Sequence, residues 1–311
     1  MLKVGFVGAG KMGVGVAANL AQHDNQITVL ARAQESLANS LLGPNLRLTS
    51  SLSDCLSGMD FIFLCLPSMS SWAEVTSQAL TDCTPTAGII DLTSAAPSQS
   101  RLFQSKAKEQ GISFVDAPML KGPAAAARAE IQLLVGGDAA DVDRAMPLLE
   151  QVSEAQFRTG EPGSGHALKL LNNAVTLTNS AVVYETFALA AKLGVDLRMA
   201  HQAMSASAAS SKRLNAIAPV LMSGEHLPSF DVSTALKDLE LYCEMVRDAG
   251  SLSFSAAGAR TLYRLGEMFG LSDEPVTRLA EMMFDFSAGH IDGAGMSNSI
   301  HNHAKAKQDA L

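Results

Sequence analysis

The sequence predicts an α/β domain built on a doubly wound parallel sheet, followed by an all-helical second domain. Three observations lead to this prediction. A glycine-rich turn follows the first strand, strand-like and helix-like segments then alternate, and strand signals stop beyond Gly194. A chain of 311 residues is large for a single core, so two domains are expected. We place them at 1–162 and 163–311, with the boundary in the stretch 160–165.

The glycine-rich turn directly follows the apolar run 3–8. Gly8, Gly10 and Gly13 have the spacing G-x-G-x-x-G between a strand and a helix, which is a dinucleotide-binding fingerprint in its proper context. The first glycine allows a tight turn, the second lets the backbone approach a pyrophosphate, and the third lets the helix pack on the strand. The helix N-terminus then attracts the anion. The alternative is a glycine-rich turn without a ligand.

The end of the second strand, 26–30, indicates which dinucleotide is preferred. An acid there would bind the ribose hydroxyls of NAD, but the chain has Ala31 and Arg32. A guanidinium without a neighbouring carboxylate suits a 2′-phosphate. The sequence therefore favours NADP(H), with NAD(H) as the second choice. The alternative is that Arg32 is a solvated loop residue.

The other strand-like runs predict where loops meet at one edge of the sheet. Because ligands bind at the carboxyl ends of parallel strands, the loops after the fourth and fifth strands should flank the cofactor. These loops contain Leu66 and Pro67, and Thr93 and Ser94. The runs lie at 46–49, 60–66, 88–92, 113–116, 131–136 and 155–158, with helical patterns such as 98–110 between them.

A single long helix is predicted for 163–193, which has no glycine or proline from 166 to 193 and would be roughly 40 Å long. It is apolar on most sides, which predicts burial. One polar stripe interrupts this pattern and would cost free energy to bury unless it faces a ligand. The alternative is that its lysine pairs with an acid such as Glu185 or extends to solvent. The stripe consists of Lys169, Asn172, Asn173, Thr176 and Ser180.

Beyond Gly194 the sequence predicts helices, at 197–204, 211–221, 232–249, 259–269 and 276–287. Adjacent Lys237 and Asp238 would by default form a surface ion pair, and the tail from Gly289 is expected to be a mobile end.

The net charge of the chain is −8, and like charges do not cluster in blocks. This argues against nucleic acid or an anionic membrane as a partner. We expect a cytoplasmic protein without targeting segment or metal site, with reduced core cysteines.

Several motifs in order identify a family. They are the turn 8–13, Asp-Leu-Thr-Ser at 91–94 with Pro97, Asp-Ala-Pro-Met at 116–119, the pattern G-x-G-x-x-x-K-x-x-N-N at 163–173, and Phe230 with Lys237-Asp238. With these motifs the chain resembles, over nearly its full length, the β-hydroxyacid dehydrogenase family, typified by 3-hydroxyisobutyrate dehydrogenases and tartronate semialdehyde reductases.

The resemblance implies a fold, a cofactor site and an oligomeric state. The fold is a Rossmann domain followed by a helical domain of the 6-phosphogluconate dehydrogenase type. The turn residues Gly8, Gly10, Lys11, Met12 and Gly13 would contact the cofactor, and Thr93, Ser94 and Lys237 would lie near its nicotinamide. The family also implies a homodimer or homotetramer.

The resemblance further implies a catalytic lysine at Lys169 and a substrate-orienting asparagine at Asn173, next to Asn172. A carbonyl carbon that receives a hydride needs a proton at its oxygen, which an ammonium can supply; in reverse, neutral lysine removes it. The implied activity is hydride transfer between NADP(H) and a small acidic β-hydroxy compound or its semialdehyde or ketone.

One departure from the family concerns the loop that binds the substrate carboxylate. The family usually has Ser-Gly-Gly there, but this chain has Leu120, Lys121 and Gly122. Our hypothesis is that Lys121 and the amide of Gly122 bind a substrate anion, as in some sulfolactaldehyde reductases of this family, which look similar in having a basic residue there. Alternatively Lys121 turns outward, or Leu120 marks an apolar substrate pocket.

Two other functions stay open. The chain could be a non-catalytic NADP-binding protein that serves dimerisation or sensing, although a scaffold would not need Lys169. Imine reductases share the implied architecture but generally replace this lysine.

Overall fold

A computed structural model describes residues 1–31, 45–226 and 230–288. The chain forms two compact units, Met1–Leu170 and Leu171–Leu311. Arg32 and the tail from Gly289 lie outside the described residues, so the predictions for them stay predictions.

The first unit is built on a nine-stranded sheet in the order β3-β2-β1-β4-β5-β6-β8-β7, with β9 paired to β8. The pairs from β3 to β6 are parallel, which confirms the doubly wound sheet, whereas β8 runs antiparallel to β6 and β7. The strands are β1 Leu2–Val7, β2 Asn25–Leu30, β3 Leu46–Thr49, β4 Phe61–Leu64, β5 Gly88–Asp91, β6 Ser113–Asp116, β7 Met119–Leu120, β8 Ile131–Gly137 and β9 Ser153–Gly160.

Helices connect these strands and bury apolar residues on both faces of the sheet, because parallel neighbours require crossover connections. Phe6, Val29 and Phe63 belong to one core cluster, and Ile62, Leu64 and Ile89 to another. The described helices of this unit are α1 Gly13–Ala21, α2 Leu52–Leu56, α3 Met69–Asp82, α4 Pro97–Glu109, α5 Pro123–Ala127 and α6 Ala139–Leu149.

The carboxyl ends of four strands form one row at a single edge of the sheet. Val7 is the register partner of Leu64, Leu64 of Asp91, and Asp91 of Asp116. The loops predicted to flank the cofactor therefore begin side by side, as the carboxyl-end rule requires. Strand β7, two residues long, was not predicted, because so short a segment carries no periodicity.

A single helix, α7 Ser164–Leu193, crosses from the first unit into the second. It is 30 residues long and begins one residue later than the helix predicted for 163–193. The second unit then consists of helices whose apolar faces share one core with α7. These are α8 Leu197–Ser205, α9 Lys212–Ser223, α10 Val232–Asp248, α11 Ser255–Met268 and α12 Arg278–Ala288.

The expectation that α7 is buried on its apolar sides is wrong for one face. Leu177, Tyr184 and Phe187 are buried in the core, but Val175 and Val182 on another face are exposed. An all-apolar composition predicts burial only when every side has a partner within the chain.

Two further observations concern the described residues as a whole. None of their helices combines the length and the apolar character needed to cross a membrane.

The four cysteines are free thiols. Cys55, Cys83 and Cys243 are buried, as expected, and Cys65 is partly exposed. Burial raises the pKa of the Cys55 thiol to about 11 and that of Cys83 to about 12.

Candidate active site

The glycine-rich turn has the geometry that its fingerprint requires. Gly8 has φ +104°, and a Cβ there would lie 2.1 Å from the Cys65 carbonyl oxygen, so no other residue fits without strain. A Cβ on Gly13 would lie 2.1 Å from the Gly8 oxygen, which shows how closely α1 follows the turn. A Cβ on Gly10 would have no described atom within 4 Å. The turn therefore leaves open space at Gly10, where a dinucleotide backbone would approach, and Lys11 and Met12 lead from there into α1.

A further glycine, outside the G-x-G-x-x-G fingerprint, helps to hold this turn in place. A Cβ on Gly15 would lie 2.7 Å from the Ala127 amide nitrogen of α5, and Asn19 Nδ2 donates to the Ala126 carbonyl at 2.8 Å. Helix α1 thus packs against the end of α5, the helix that follows the loop 120–122. Gly15 is the feature of the sequence from which this close approach of α1 to α5 could have been predicted.

The loops after β4 and β5 are tied to each other by hydrogen bonds. The Leu66 amide donates to Thr93 Oγ1 at 3.1 Å, and the Thr93 amide donates to Asp91 Oδ1 at 2.9 Å. Trp72 Nε1 donates to Asp91 Oδ2 at 2.5 Å. Asp91 is fully buried, and this burial raises the pKa of its carboxyl. These bonds place Leu66 and Thr93, with Pro67 and Ser94 next to them, at the same edge of the sheet as the glycine-rich turn.

Asp116 fixes the start of α7. Its Oδ1 accepts the Gly163 amide at 2.7 Å and its Oδ2 accepts the His166 amide at 2.9 Å. The carboxylate is fully buried and lies at a helix N-terminus, where negative charge is favourable. Ser100 Oγ and His166 Nδ1 form a further hydrogen bond of 2.7 Å. In the sequence, Asp116 is distinguished only as part of the motif 116–119, and no pattern there predicts a role for His166 or Ser100.

Lys169 lies in the second turn of α7, directly after this anchored end. Its Nζ donates to the Met119 carbonyl oxygen of β7 at 2.7 Å, and its side chain is partly buried. The alternative pairing with Glu185 is excluded, because that residue lies ~24 Å further along the same helix. The structure thus brings Lys169 to the loop that begins with Leu120, Lys121 and Gly122.

Lys121 has an unusual backbone conformation and an ion-pair partner. Its φ is +69°, a region that favours glycine, which is the residue that the family usually has there. Its Nζ lies 2.6 Å from Glu154 Oε1, and the two side chains are 38% and 41% exposed. The Lys121 ammonium and the Gln132 amide hold the pKa of Glu154 below its usual range. A substrate anion at Lys121 would therefore compete with Glu154.

In the second unit, Asn173 and Lys237 share a buried carboxylate. Asn173 Nδ2 donates to Asp238 Oδ2 at 2.5 Å, and Lys237 Nζ lies 3.3 Å from Asp238 Oδ1. Asp238 is 1% exposed, so the default expectation of a surface ion pair is wrong. Asn172, which is exposed, donates from Nδ2 to Asn173 Oδ1 at 3.1 Å. Asp238 is a residue whose role the sequence did not reveal.

The polar stripe of α7 continues beyond Asn173. Ser180 Oγ donates to the Thr176 carbonyl at 2.8 Å and accepts from Arg213 Nε at 2.8 Å. Within the described residues no group of three or more His, Cys, Asp or Glu is placed to hold a metal ion.

Comparisons with known proteins agree with this geometry. The protein-family model described as the NAD binding domain of 6-phosphogluconate dehydrogenase matches residues 3–160 of the sequence. The model described as NAD-binding of NADP-dependent 3-hydroxyisobutyrate dehydrogenase matches residues 163–283. Together they cover most of the chain, and the first alone covers half of it.

Individual relatives are distant but extend over most of the chain. The 2-hydroxy-3-oxopropionate reductase of Escherichia coli (strain K12) is 28% identical over 247 residues, which are 77% of this chain and 82% of that protein. The 3-sulfolactaldehyde reductase of the same organism is 25% identical over 287 residues, 91% of this chain and 96% of that protein. The solved structure of Mycobacterium tuberculosis 3-hydroxyisobutyrate dehydrogenase with L-serine has a TM-score of 0.81 at 24% identity, covering 91% of this chain and 99% of that one.

The family models, the parallel sheet with its glycine-rich turn, and the helical second unit lead to one classification. The first unit is an NAD(P)-binding domain of the Rossmann type. The chain belongs to the β-hydroxyacid dehydrogenase family.

Proposed function

We propose that this protein is an NADP-dependent oxidoreductase acting on a small acidic β-hydroxy compound or the corresponding semialdehyde or ketone. The observation that carries the proposal is the position of Lys169, whose ammonium contacts the carbonyl of Met119 at the start of the loop 120–122. A bound nicotinamide cofactor would supply or accept the hydride at the substrate carbon.

Lys169 would handle the proton at the substrate oxygen. An ammonium has three N–H groups and is oriented here by its bond to the Met119 carbonyl; a carbonyl or hydroxyl oxygen of the substrate would accept a hydrogen bond from it. The Met119 bond also restricts the lysine to one direction, which lowers the entropic cost of proton transfer. In reduction the ammonium would donate the proton to the developing alkoxide, and in oxidation the neutral amine would remove it.

Asn173 follows Lys169 by four residues on α7 and is therefore its neighbour on the helix surface. Its amide has two N–H groups, one of which is donated to Asp238. We propose that the second N–H group of Asn173 orients the substrate, with Asn172 next to Asn173. Asp238 would fix the amide rotamer and, through the ion pair, restrict Lys237; the role of Lys237 near the nicotinamide stays a prediction from the resemblance.

Asp116 supports this assignment as a positioning residue. The carboxylate binds two amides in the first turn of α7 and so fixes the helix end from which Lys169 projects. A catalytic ammonium must be held to well within 1 Å of its productive position. A buried, hydrogen-bonded carboxylate at the helix start provides such a restraint.

The cofactor preference for NADP(H) rests on Arg32, which lies outside the described residues. A guanidinium at the end of β2 can bind a 2′-phosphate with charge-assisted hydrogen bonds, which are worth ~1.5 to 3 kcal/mol. The glycine-rich turn itself serves NAD(H) equally well, so only Arg32 supports the preference. The cytoplasmic location likewise stays a prediction from the sequence.

The function can be tested by a panel of small aldehydes and ketones bearing carboxylate, sulfonate or phosphate groups, with a neutral aldehyde and a cyclic imine as controls. We expect at least one anionic compound to consume NADPH, and to do so roughly tenfold or more faster at low cofactor concentration than with NADH. Turnover of the imine alone would identify an imine reductase. Tight NADPH binding without turnover of any compound would favour a non-catalytic protein, and equal rates with both cofactors would contradict the role of Arg32.

We further propose that Lys121 helps to bind the substrate anion, with the amide of Gly122, in exchange for Glu154. An exposed ion pair contributes little stability, so a substrate anion can displace the carboxylate at small cost. Lys121→Gly removes the charge and suits the left-handed backbone, whereas Lys121→Ala removes the charge and keeps the unfavourable φ. Both are expected to raise KM for the best anionic substrate several-fold with little change in kcat.

The matched variant for this test is Glu154→Gln. It removes the competing carboxylate and is expected to lower KM for the same substrate. An unchanged KM in both lysine variants would mean that Lys121 has no role in substrate binding. Leu120 would then indicate an apolar substrate pocket.

A further inference from the structure

Four polar side chains from four different elements lie together in the interior of the first unit. They are Asp91 at the end of β5, Ser100 in α4, Asp116 at the end of β6 and His166 in α7, and each is fully buried. We call these four residues the His166 cluster. Buried polar groups cost free energy unless they are paired, so few arrangements of their hydrogens are favourable.

The His166 ring lies close to the other three residues. Its Nδ1 is 2.7 Å from Ser100 Oγ and 4.0 Å from Asp116 Oδ2, and its Nε2 is 3.8 Å from Asp91 Oδ2. Serine, histidine and aspartate are also the groups of a hydrolytic triad. Here, however, Ser100 is closed off from solvent, and its hydroxyl can donate to the Ala96 carbonyl at 3.1 Å. The cluster therefore acts on neighbouring parts of the protein and has no substrate of its own.

The contacts of the ring indicate where a hydrogen must lie. Nε2 has no hydrogen-bond partner among the described residues, and Asp91 Oδ2 is the carboxylate oxygen in front of it. When Ser100 donates to the Ala96 carbonyl, Nδ1 donates to Ser100, and a lone pair on Nε2 then faces the carboxylate unless a further proton is bound. When Ser100 donates to Nδ1, Nε2 itself carries the hydrogen. In each favourable arrangement a proton lies between His166 and Asp91, and burial, which raises the pKa of the Asp91 carboxyl, favours it further.

A proton at this position connects two parts of the candidate site. On one side, Asp91 accepts the Thr93 amide, and the Thr93 hydroxyl accepts an amide of the loop after β4. On the other side, Asp116 accepts the backbone amide of His166, and Lys169 follows three residues later on the same helix. The His166 side chain thus joins the loop of Thr93 to the turn of α7 that precedes Lys169.

We propose that His166 is a positioning residue that holds Thr93, at the predicted nicotinamide site, in a fixed position relative to Lys169. This role rests on the proposed function, in which the cofactor lies at Thr93 and the proton is handled by Lys169. The hydride and the proton go to the two atoms of one carbonyl group, so a shift of about 1 Å between their donors can cost roughly 10²-fold in rate. A buried side chain that joins both elements limits this shift without touching the substrate.

Two amide variants separate the contacts of the ring. Glutamine can place an N–H group near the position of Nε2 and keep a donor toward Asp91, whereas the shorter asparagine reaches only toward Ser100. We expect His166→Asn to lower kcat by ~10 to 100-fold, with less than about a threefold change in KM and in the Kd for NADPH. His166→Gln is expected to keep kcat within about threefold of wild type. Ser100→Ala, which removes the other contact of the ring, is the matched control and should behave like His166→Gln.

These variants distinguish positioning from a loss of stability alone. All three lose a buried hydrogen bond and are expected to melt at a lower temperature, so kcat is compared at a temperature at which circular dichroism shows each of them folded. A kcat of His166→Asn within about twofold of wild type, or equal losses in all three variants, would overturn the proposal. If Lys169→Met loses turnover while His166→Asn does not, only the role of His166 is wrong. If Lys169→Met stays active, the proposed function fails instead.

A spectroscopic measurement on the wild type does not depend on a folded variant at position 166. Heteronuclear NMR of the histidine rings reports whether each ring nitrogen carries or accepts a hydrogen. Because His166 is fully buried, we expect a slowly exchanging ring whose Nε2 carries or shares a hydrogen. Ser100→Ala is expected to shift this signal through the contact at Nδ1, which assigns it to His166. A ring whose Nε2 neither carries nor accepts a hydrogen would contradict the proposal.

Discussion

Lys169→Met is expected to lower kcat by ~10² to 10⁴-fold, because general acid-base groups contribute that much to proton transfer. Methionine replaces the apolar stem of the lysine without its terminal ammonium and has no proton to give. The bond to the Met119 carbonyl is lost as well, yet that carbonyl is next to a partly exposed loop and can bind water instead. Steady-state kinetics with the best substrate from the panel measures the loss.

Cofactor binding separates this catalytic role from a structural one. We expect Lys169→Met to bind NADPH nearly as tightly as wild type, because the glycine-rich turn and the loops after β4 and β5 lie on other elements. Lys192→Met, at an exposed position near the end of the same helix, is the matched control and should keep full activity. A Lys169→Met protein with more than about a tenth of the wild-type kcat would show that another group handles the proton.

Gly165→Ala is expected to destabilise the fold by about 2 kcal/mol or more, although the substitution lies inside a helix. Alanine is favoured over glycine in a helix interior by ~1 kcal/mol. At Gly165, however, a Cβ would lie 2.2 Å from the Leu134 carbonyl oxygen and 2.8 Å from the Asp116 carbonyl oxygen. Both contacts are to backbone atoms of the sheet, so α7 must move, and overpacking of this kind costs ~1 to 3 kcal/mol or more.

Gly258→Ala is the matched control for this prediction. Gly258 lies in α11, and a Cβ there would have no described atom within 4 Å. The helix preference then acts alone, so we expect a gain of ~0.5 to 1 kcal/mol. Thermal denaturation of both variants measures the two effects. A Gly165→Ala protein as stable as wild type would mean that α7 does not rest on the sheet as closely as these distances indicate.

The sequence was sufficient for features that depend on neighbours along the chain. The spacing of Gly8, Gly10 and Gly13 requires a tight turn and close packing, and both are present. The alternation of segments predicts the parallel sheet, because apolar periodicity is a local property. The length of α7 follows in the same way from the absence of glycine and proline between residues 166 and 193.

Tertiary structure alone decided the partners of the buried polar groups. Asp116 reaches the start of α7 across 47 residues, and Asp238 reaches Asn173 across 65. Neither aspartate differs in its local sequence from one that faces solvent, since a buried charge is recognised only by the distant groups that compensate it.

The same distinction applies to Lys121 and to α7. The sequence predicts Lys121 near a substrate, but its ion pair with Glu154 depends on β9 lying next to β8. The composition of α7 identified apolar residues on every side, and only packing determined that one side is left exposed. Local pattern determines which elements form and which residues are apolar; the surfaces those elements cover depend on contacts between segments far apart in the chain, which no local pattern encodes.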